Sequence, residues 1–300
     1  MQAIVWPISF LGKQLDDSLA LQKSSEGANL PFVDLDAASI APRRVVPGLS
    51  SVMSKTILVT GGSRGIGRAA CMLAAERHWS VGVNYLKDRA AAESAVAVAE
   101  RVGGKAVAIA GDVSRESDVI AMFDAATSAL GPLDGVVINA GVAATASRLV
   151  DMSAERMRHV FEVNVLGAYL CAREAARRMC RSRDGNGGSI VLISSVAARI
   201  GAPDVYVDYA GSKAAVDALA LGLSKELGRE GVRVNSIRPG VIETEIHAAY
   251  GDPDRPYKIG ASTPLGRPGT VNEIAEAIIW LLSDASSYVT GAIIDVTGGR

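Results

Sequence analysis

From residue 55 onward, short stretches that are apolar on both side-chain faces alternate with longer stretches of helical period, and the alternation runs to the C-terminus. Residues 56–60 read as a β-branched strand, followed at once by a glycine-rich turn and an Ala-rich helix. The same pattern predicts further strands over 79–84, 106–110, 133–138, 189–194, 233–237 and 292–295. Helices are predicted over 90–102, 116–129, 154–179, 209–227 and 271–282. Runs such as Gly135-Val136-Val137-Ile138 and Ile190-Val191-Leu192-Ile193 have no polar face, as parallel strands covered by helices on both sides require.

No linker interrupts residues 55–300, so the pattern predicts one α/β domain, a doubly wound parallel sheet of seven strands flanked by helices. Residues 1–54 differ. They mix short apolar runs with Pro7, Pro31, Pro42 and Pro47 and hold no period long enough for a helix or strand. They read as a poorly ordered N-terminal extension, or as the product of a start codon assigned upstream of Met53. They lack the pattern of a secretory signal and the acid-poor, Arg-rich pattern of an organellar transit peptide, so the expected location is cytoplasmic.

Composition narrows the classes of function. With 49 % hydrophobic and 21 % charged residues, the chain is that of an ordinary globule and not a fibrous or disordered protein. Its 31 basic and 32 acidic side chains leave a net charge of −1, which offers a polyanion no general attraction, so neither nucleic acid nor a membrane is an expected partner. Cys71, Cys171 and Cys180 are too scattered for a zinc clamp or a disulfide framework and read as buried small hydrophobes. His78, His159 and His247 are equally dispersed, so no metal is expected.

The chemistry is concentrated at the predicted strand ends. Gly61, Gly65 and Gly67, with Ser63, Arg64 and Ile66 between them, open a helix after a strand, where missing Cβ atoms let backbone amides approach a pyrophosphate. No Gly-Lys-Ser or Gly-Lys-Thr follows, which removes the lysine and magnesium ligand of a phosphate-hydrolysing loop. Strand two ends in Val83-Asn84-Tyr85 rather than an acid for a ribose 2′-hydroxyl, and Arg64 and Lys87 stand near. That favours NADP, with Asn84 donating to the 2′-phosphate, while Asp88 keeps NAD possible. Asp112, with Val113 beside it, is a candidate adenine contact, and an Asx turn or helix cap is its other reading. Asn139-Ala140-Gly141 would bring backbone to the cofactor ribose. Tyr209 and Lys213, four apart, share one helix face, and a cation beside a phenol favours its ionised form. Either Ser194 or Ser195 could point across the sheet edge towards that phenol.

In this order, Thr60-Gly61-Gly62-Ser63-Arg64-Gly65-Ile66-Gly67, Asn139-Ala140-Gly141, Asn164, Ser195, Tyr209-Ala210-Gly211-Ser212-Lys213 and Pro239-Gly240 resemble the short-chain dehydrogenase/reductase family across residues 55–300. The fuller text is similar to the branch holding bacterial 3-oxoacyl-carrier-protein reductases and glucose 1-dehydrogenase-like oxidoreductases. The resemblance implies a Rossmann-type fold with strand order 3-2-1-4-5-6-7 and an NAD(P)-dependent enzyme interconverting a small-molecule carbonyl and alcohol. It implies that Ser195 bonds the substrate oxygen, Tyr209 transfers the proton, Lys213 holds the nicotinamide ribose and tunes Tyr209, and Asn164 supports a water relay. Pro239, Gly240, Val241 and Thr244 would line the nicotinamide end, with a helix cap and a core position the other readings of Thr244 and Val241. It also implies a homotetramer built on the helices beginning near Ala154 and Tyr209 and on the C-terminal tail.

Two departures stand out: Ile138 precedes Asn139 where relatives usually carry a second asparagine, and the interval from Ser195 to Tyr209 is one residue longer than in many relatives. The extra length falls in Gly201-Ala202-Pro203-Asp204-Val205-Tyr206, making Tyr206 a candidate substrate contact. Residues 143–148 and 245–266 are the expected substrate wall and lid, the lid carrying Asp252, Asp254, Arg255 and Lys258. A nucleotide-binding scaffold or redox-sensing regulator with little turnover is the alternative function.

Overall fold

The computed structural model describes residues 54–245 and 252–300. The expectations for the N-terminal extension and for part of the lid therefore lie outside the described residues. Seven parallel strands form one sheet: β1 (Thr56–Val59), β2 (Ser80–Tyr85), β3 (Lys105–Ala110), β4 (Gly135–Ile138), β5 (Gly188–Ile193), β6 (Val232–Pro239) and β7 (Ile293–Val296). Their order is β3-β2-β1-β4-β5-β6-β7, the Rossmann-type arrangement with a crossover on either side of β1.

The helices are α1 (Gly65–Glu76), α2 (Arg89–Arg101), α3 (Glu116–Leu130), α4 (Ala154–Phe161), α5 (Gly167–Met179), α6 (Ala197–Ile200), α7 (Val207–Leu227), α8 (Arg255–Gly260) and α9 (Val271–Leu282). Alternation along β1 divides the core. Leu58 packs with Met122 and Phe123 of α3, Cys171 of α5 and Val216 of α7. Ile57 and Val59 join Ala70 and Ala74 of α1, Ala92 and Ala95 of α2, and Ile274 and Ile278 of α9 on the other face. The Ala-rich faces of α1 and α2 allow close helix-on-sheet contact.

Most predicted boundaries fall within two residues of the observed ones, with one informative exception. The stretch predicted as one helix over 154–179 is α4 and α5 joined through a π turn, Glu162–Leu166. Asn164 lies in that turn, where a widened hydrogen-bond ring displaces one residue from the helical register. All three cysteines are buried and unbridged, and burial pushes the Cys71 and Cys171 thiols up to about 12, as inert small hydrophobes require. Among the described residues no cluster suits a metal ion, and no helix is long and apolar enough to cross a membrane.

Candidate active site

The predicted site residues lie at the carboxyl ends of β1 to β6, where the strand order reverses between β1 and β4, and on the π turn and α7. After β1, Gly61 and Gly65 adopt φ of 62° and 53°, which side chains with a Cβ rarely tolerate. A Cβ on Gly67 would lie 2.4 Å from Gly61 O and 2.6 Å from Asn139 Nδ2. Arg64, exposed at the start of α1, supplies no side-chain cap to the first helical amides. Ser63 is buried beneath this turn and Ile66 half-buried on it. A helix N-terminus opened by conformationally special glycines fits a dinucleotide pyrophosphate.

Thr60 and Asn139 lock this turn to the loop after β4. Thr60 Oγ1 accepts from the Asn139 and Ala140 amides at 2.9 and 3.0 Å, while Asn139 Nδ2 donates to Thr60 O and Gly61 O. Gly141 follows, and a Cβ there would sit 3.2 Å from both Asn164 Oδ1 and Lys213 Nζ. The single asparagine thus performs a complete bracing task, despite the departure at Ile138.

Asn84 requires a correction. Its side chain is 2 % exposed; Nδ2 donates to Ile109 O and Gly111 O at 3.2 and 3.1 Å, and Oδ1 accepts from Gly61 N at 3.0 Å. It is a buried brace between β2, β3 and the glycine turn, with no amide hydrogen free for a phosphate. Tyr85 is half-buried at the strand end and Lys87 is exposed just beyond it. Asp88, whose acidity favoured NAD, accepts from Ala91 N as the cap of α2. Asp112 Oδ1 accepts from both Ser114 N and Ser114 Oγ, the Asx-turn reading. Val113 is buried against Gly167, where an added Cβ would lie 2.9 Å from Val113 Cγ2.

The two serines after β5 separate cleanly. Ser194 is 2 % exposed and donates to Lys213 O at 3.0 Å, fastening β5 to α7. Ser195 is half-buried at the edge, its Oγ accepting from Ala197 N at 3.1 Å and retaining its own proton to donate. Of the two rivals, Ser195 is the more exposed, and its hydroxyl is not used to fasten β5 to α7.

On α7, Tyr209 and Lys213 face the same way, with Lys213 Nζ 5.7 Å from the Tyr209 ring centroid. Lys213 Nζ donates to Ile193 O at 2.8 Å and is 4 % exposed. Burial pushes its ammonium down to about 8, against the attraction of Asp217. Asn164, 1 % exposed, donates to Val142 O and Ser212 Oγ and accepts from Val142 N at 2.7 Å. Ser212 in turn donates to Tyr209 O at 2.7 Å. The Asn164 side chain therefore clamps the loop after β4 to α7.

At the nicotinamide end, the Pro239 carbonyl accepts from Val196 N, and a Cβ on Gly240 would lie 2.7 Å from Thr297 Cα. Val241 is buried, and Thr244 comes to the glycine turn, its Cγ2 3.8 Å from where a Gly65 Cβ would stand. A cavity of about 340 Å³ opens beside them, lined by Arg68, Met72, Thr244 and Asn272 among others. On the substrate side, Tyr206 meets Tyr209 edge-on at 5.7 Å between centroids, and Arg255 of α8 lies 5.1 Å from the Tyr206 ring. Lys258 and Asp252 of the lid pair with each other at 2.8 Å.

Sequence reasoning missed two buried ion pairs. Arg156 donates through Nε and Nη2 to Asp208 at 2.9 and 3.2 Å and through Nη1 to Thr145 O, tying the substrate loop to the start of α7. Asp208 beside the tyrosine was a visible signal, since an acid in a first helical turn favours the helix dipole. The second pair, Asp217 with Arg238, links α7 to β6 at 2.8 Å and has no local sequence signature.

The match to known proteins covers this whole unit. The family model described as enoyl-(acyl carrier protein) reductase matches residues 61–300. The oxidoreductase YgfF of Escherichia coli, itself uncharacterised, is 47 % identical over 243 residues, covering 81 % of this chain and 98 % of that protein. The chain belongs to the short-chain dehydrogenase/reductase family. L-rhamnose 1-dehydrogenase (NAD(P)(+)) of a Sphingomonas species is 39 % identical, with 82 % of this chain and 95 % of that protein covered. Among solved structures, a short-chain type dehydrogenase/reductase from Mycobacterium ulcerans superposes with a TM-score of 0.74 at 36 % identity, covering 82 % of this chain and 89 % of that one. Family membership makes the protein an NAD(P)-dependent oxidoreductase of carbonyl and alcohol groups.

Proposed function

We propose that this enzyme interconverts a small-molecule carbonyl and a secondary alcohol, preferring NADP, with Tyr209 as the acid-base group. The observation that carries the reading is the buried Lys213 ammonium held beneath the Tyr209 ring at the open edge of the sheet. The glycine turn, Asn139, Ala140, Gly141 and the stretch Pro239, Gly240, Val241 and Thr244 would hold the dinucleotide. When bound, that cofactor supplies or accepts the hydride. In the reducing direction the carbonyl oxygen gains negative charge, which the Ser195 hydroxyl bonds and the Tyr209 proton neutralises. The Lys213 charge favours the phenolate left behind, and Asn164 keeps the opposing loop in place. In oxidation, Tyr209 removes the alcohol proton and the same contacts operate in reverse.

The NADP preference rests on two exposed cations, Arg64 and Lys87, and on the use of Asp88 as a helix cap. Asn84 contributes to either cofactor through the turn it braces. A place near the glucose 1-dehydrogenases is supported by glucose 1-dehydrogenase 2 of Bacillus subtilis, 36 % identical over 245 residues. Assembly as a homotetramer is supported by Phe161, Leu166 and Tyr169, which are 44, 48 and 45 % exposed along α4, the π turn and α5. Initial rates on a panel of sugars, ketones, aldehydes and acyl thioesters, each with NADPH and NADH, test the reading. Turnover with NADPH above that with NADH supports it; NADP binding without hydride transfer across the panel favours a scaffold or redox-sensing regulator instead.

A further inference from the structure

Arg156 bonds two parts of the cleft that lie far apart in the chain. It stands in the first turn of α4, where Ser153 caps the helix by accepting from the Arg156 amide at 3.2 Å. Its guanidinium reaches both parts at once. Nε and Nη2 donate to Asp208 Oδ2 and Oδ1 at 2.9 and 3.2 Å, a two-pronged pair whose side chains are 16 and 1 % exposed. Nη1 donates to Thr145 O at 2.6 Å. The planar guanidinium fixes these three bonds relative to one another, which an ammonium on a flexible stem does not.

Both partners bear on the proposed reaction. Asp208 lies in the first turn of α7, next to Tyr209, and its Oδ1 also accepts from the Tyr209 amide at 2.9 Å. Tyr206, which precedes the helix, supplies no side-chain cap, and the Asp208 carboxylate takes an amide of the first turn instead. Thr145 belongs to residues 143–148, the expected substrate wall. Two residues on, Ser147 N donates to Val205 O at 2.9 Å, and Arg148 stands 3.5 Å from Asp204. Asn164 clamps the base of this loop, through Val142, to Ser212 of α7. Arg156 does the same further out, at the middle of the wall and at the residue adjoining Tyr209. The desolvation of a buried ion pair offsets much of its attraction, so its chief effect here is to fix where the two segments stand.

We propose that Arg156 is a positioning residue: by holding Asp208 and Thr145 together, it sets the separation between the acid-base tyrosine and the substrate wall, and with it the size of substrate presented to Tyr209. The inference rests on the reading of Tyr209 as the acid-base group and of residues 143–148 as the wall. Proton transfer needs the carbonyl oxygen at bonding distance from the phenol while the rest of the substrate rests on the wall. A misplacement of about 1 Å there costs on the order of 100-fold in rate.

Arg156→Lys keeps a cation for Asp208 but cannot bond that carboxylate twice and Thr145 as well. The test measures kcat/KM with NADPH, well below the melting temperature, for the largest and the smallest panel substrates that the natural protein reduces. The expected fall is about tenfold for the largest and about threefold or less for the smallest, while NADPH affinity by fluorescence titration stays within about twofold. Arg156→Gln combined with Asp208→Asn leaves no buried charge unpaired and gives the same change of ratio, which keeps the test open if the lysine variant folds poorly. Loss of folded protein lowers both values equally and leaves their ratio fixed, so a merely structural role does not move this readout. An unchanged ratio in a folded variant, or a loss confined to NADPH affinity, overturns the role of Arg156. Tyr209→Phe runs in parallel: if it reduces either substrate within about tenfold of the natural rate, the acid-base reading fails and the inference with it. If Tyr209→Phe is inactive and the Arg156→Lys ratio is unchanged, the inference alone fails; no reduction of any panel substrate by the natural protein overturns both.

Discussion

Replacing Lys213 with methionine should abolish turnover and at the same time make the protein more stable. The ammonium sits 4 % exposed, and burial lowers its proton affinity from the usual 10.5 to about 8. At ~1.4 kcal/mol for each tenfold change, that displacement amounts to about 3 kcal/mol of native-state destabilisation whenever the lysine is protonated in both states. Methionine fills a similar volume without the charge; leaving Ile193 O without its donor costs about 1 kcal/mol in return. Asp217 keeps its bonds from Ser236 and Arg238. The net gain near pH 6.5 is therefore roughly 2 kcal/mol. The sign with pH follows from a folded value below the unfolded one. Below about 8 the penalty is present in full; between about 8 and 10.5 the unfolded chain holds a proton that the native state has lost, so the natural protein gains stability as pH rises. The advantage of Lys213→Met should accordingly shrink through that window. Urea unfolding of both proteins without cofactor, followed by tryptophan fluorescence at pH 6.5 and 10, measures it. A variant no more stable at pH 6.5, or a difference that stays level to pH 10, refutes the reasoning.

Asn84→Ala should cost about 2 kcal/mol of stability by stranding the Gly61 amide and two carbonyls, and should weaken NADPH and NADH binding alike; a selective loss of NADPH affinity in calorimetry would restore it as a direct phosphate ligand. Ser195→Ala should lower kcat by a factor of about 100 with melting unchanged, whereas Ser194→Ala should chiefly lower the melting temperature, since its hydroxyl serves α7. Gly67→Ala should reduce affinity for both cofactors at least tenfold, because its Cβ meets Gly61 O at 2.4 Å, and fluorescence titration reads the change directly.

The seven strands and the glycine turn were legible because both are written in local pattern: two-faced apolar strands, helical period between them, and glycines where positive φ is required; the order of the strands came from the family resemblance. The single helix predicted over 154–179 fails at Asn164, since a π turn keeps the helical apolar period on both sides of it. Asn84 misled for a different reason. Its chemical type suits phosphate binding, but its use is decided by Ile109, Gly111 and Gly61, which a linear reading does not bring together. Between Ser194 and Ser195 the residue types alone left the choice open and the family resemblance pointed to Ser195; the structure adds that adjacent residues at a strand end point in opposite directions and that α7 claims the Ser194 hydroxyl. The Asp217, Arg238 and Asp295 chain spans three elements and carries no motif at all.

The central claim is that Tyr209 is the proton donor held over a buried lysine. It is tested most directly by single-turnover carbonyl reduction in Tyr209→Phe with NADPH bound, using the best substrate of the panel. The account predicts a hydride-transfer rate lower by a factor of about 1,000 while NADPH affinity and the melting temperature stay near those of the natural protein. A folded Tyr209→Phe protein that reduces its substrate within tenfold of the natural rate would contradict it.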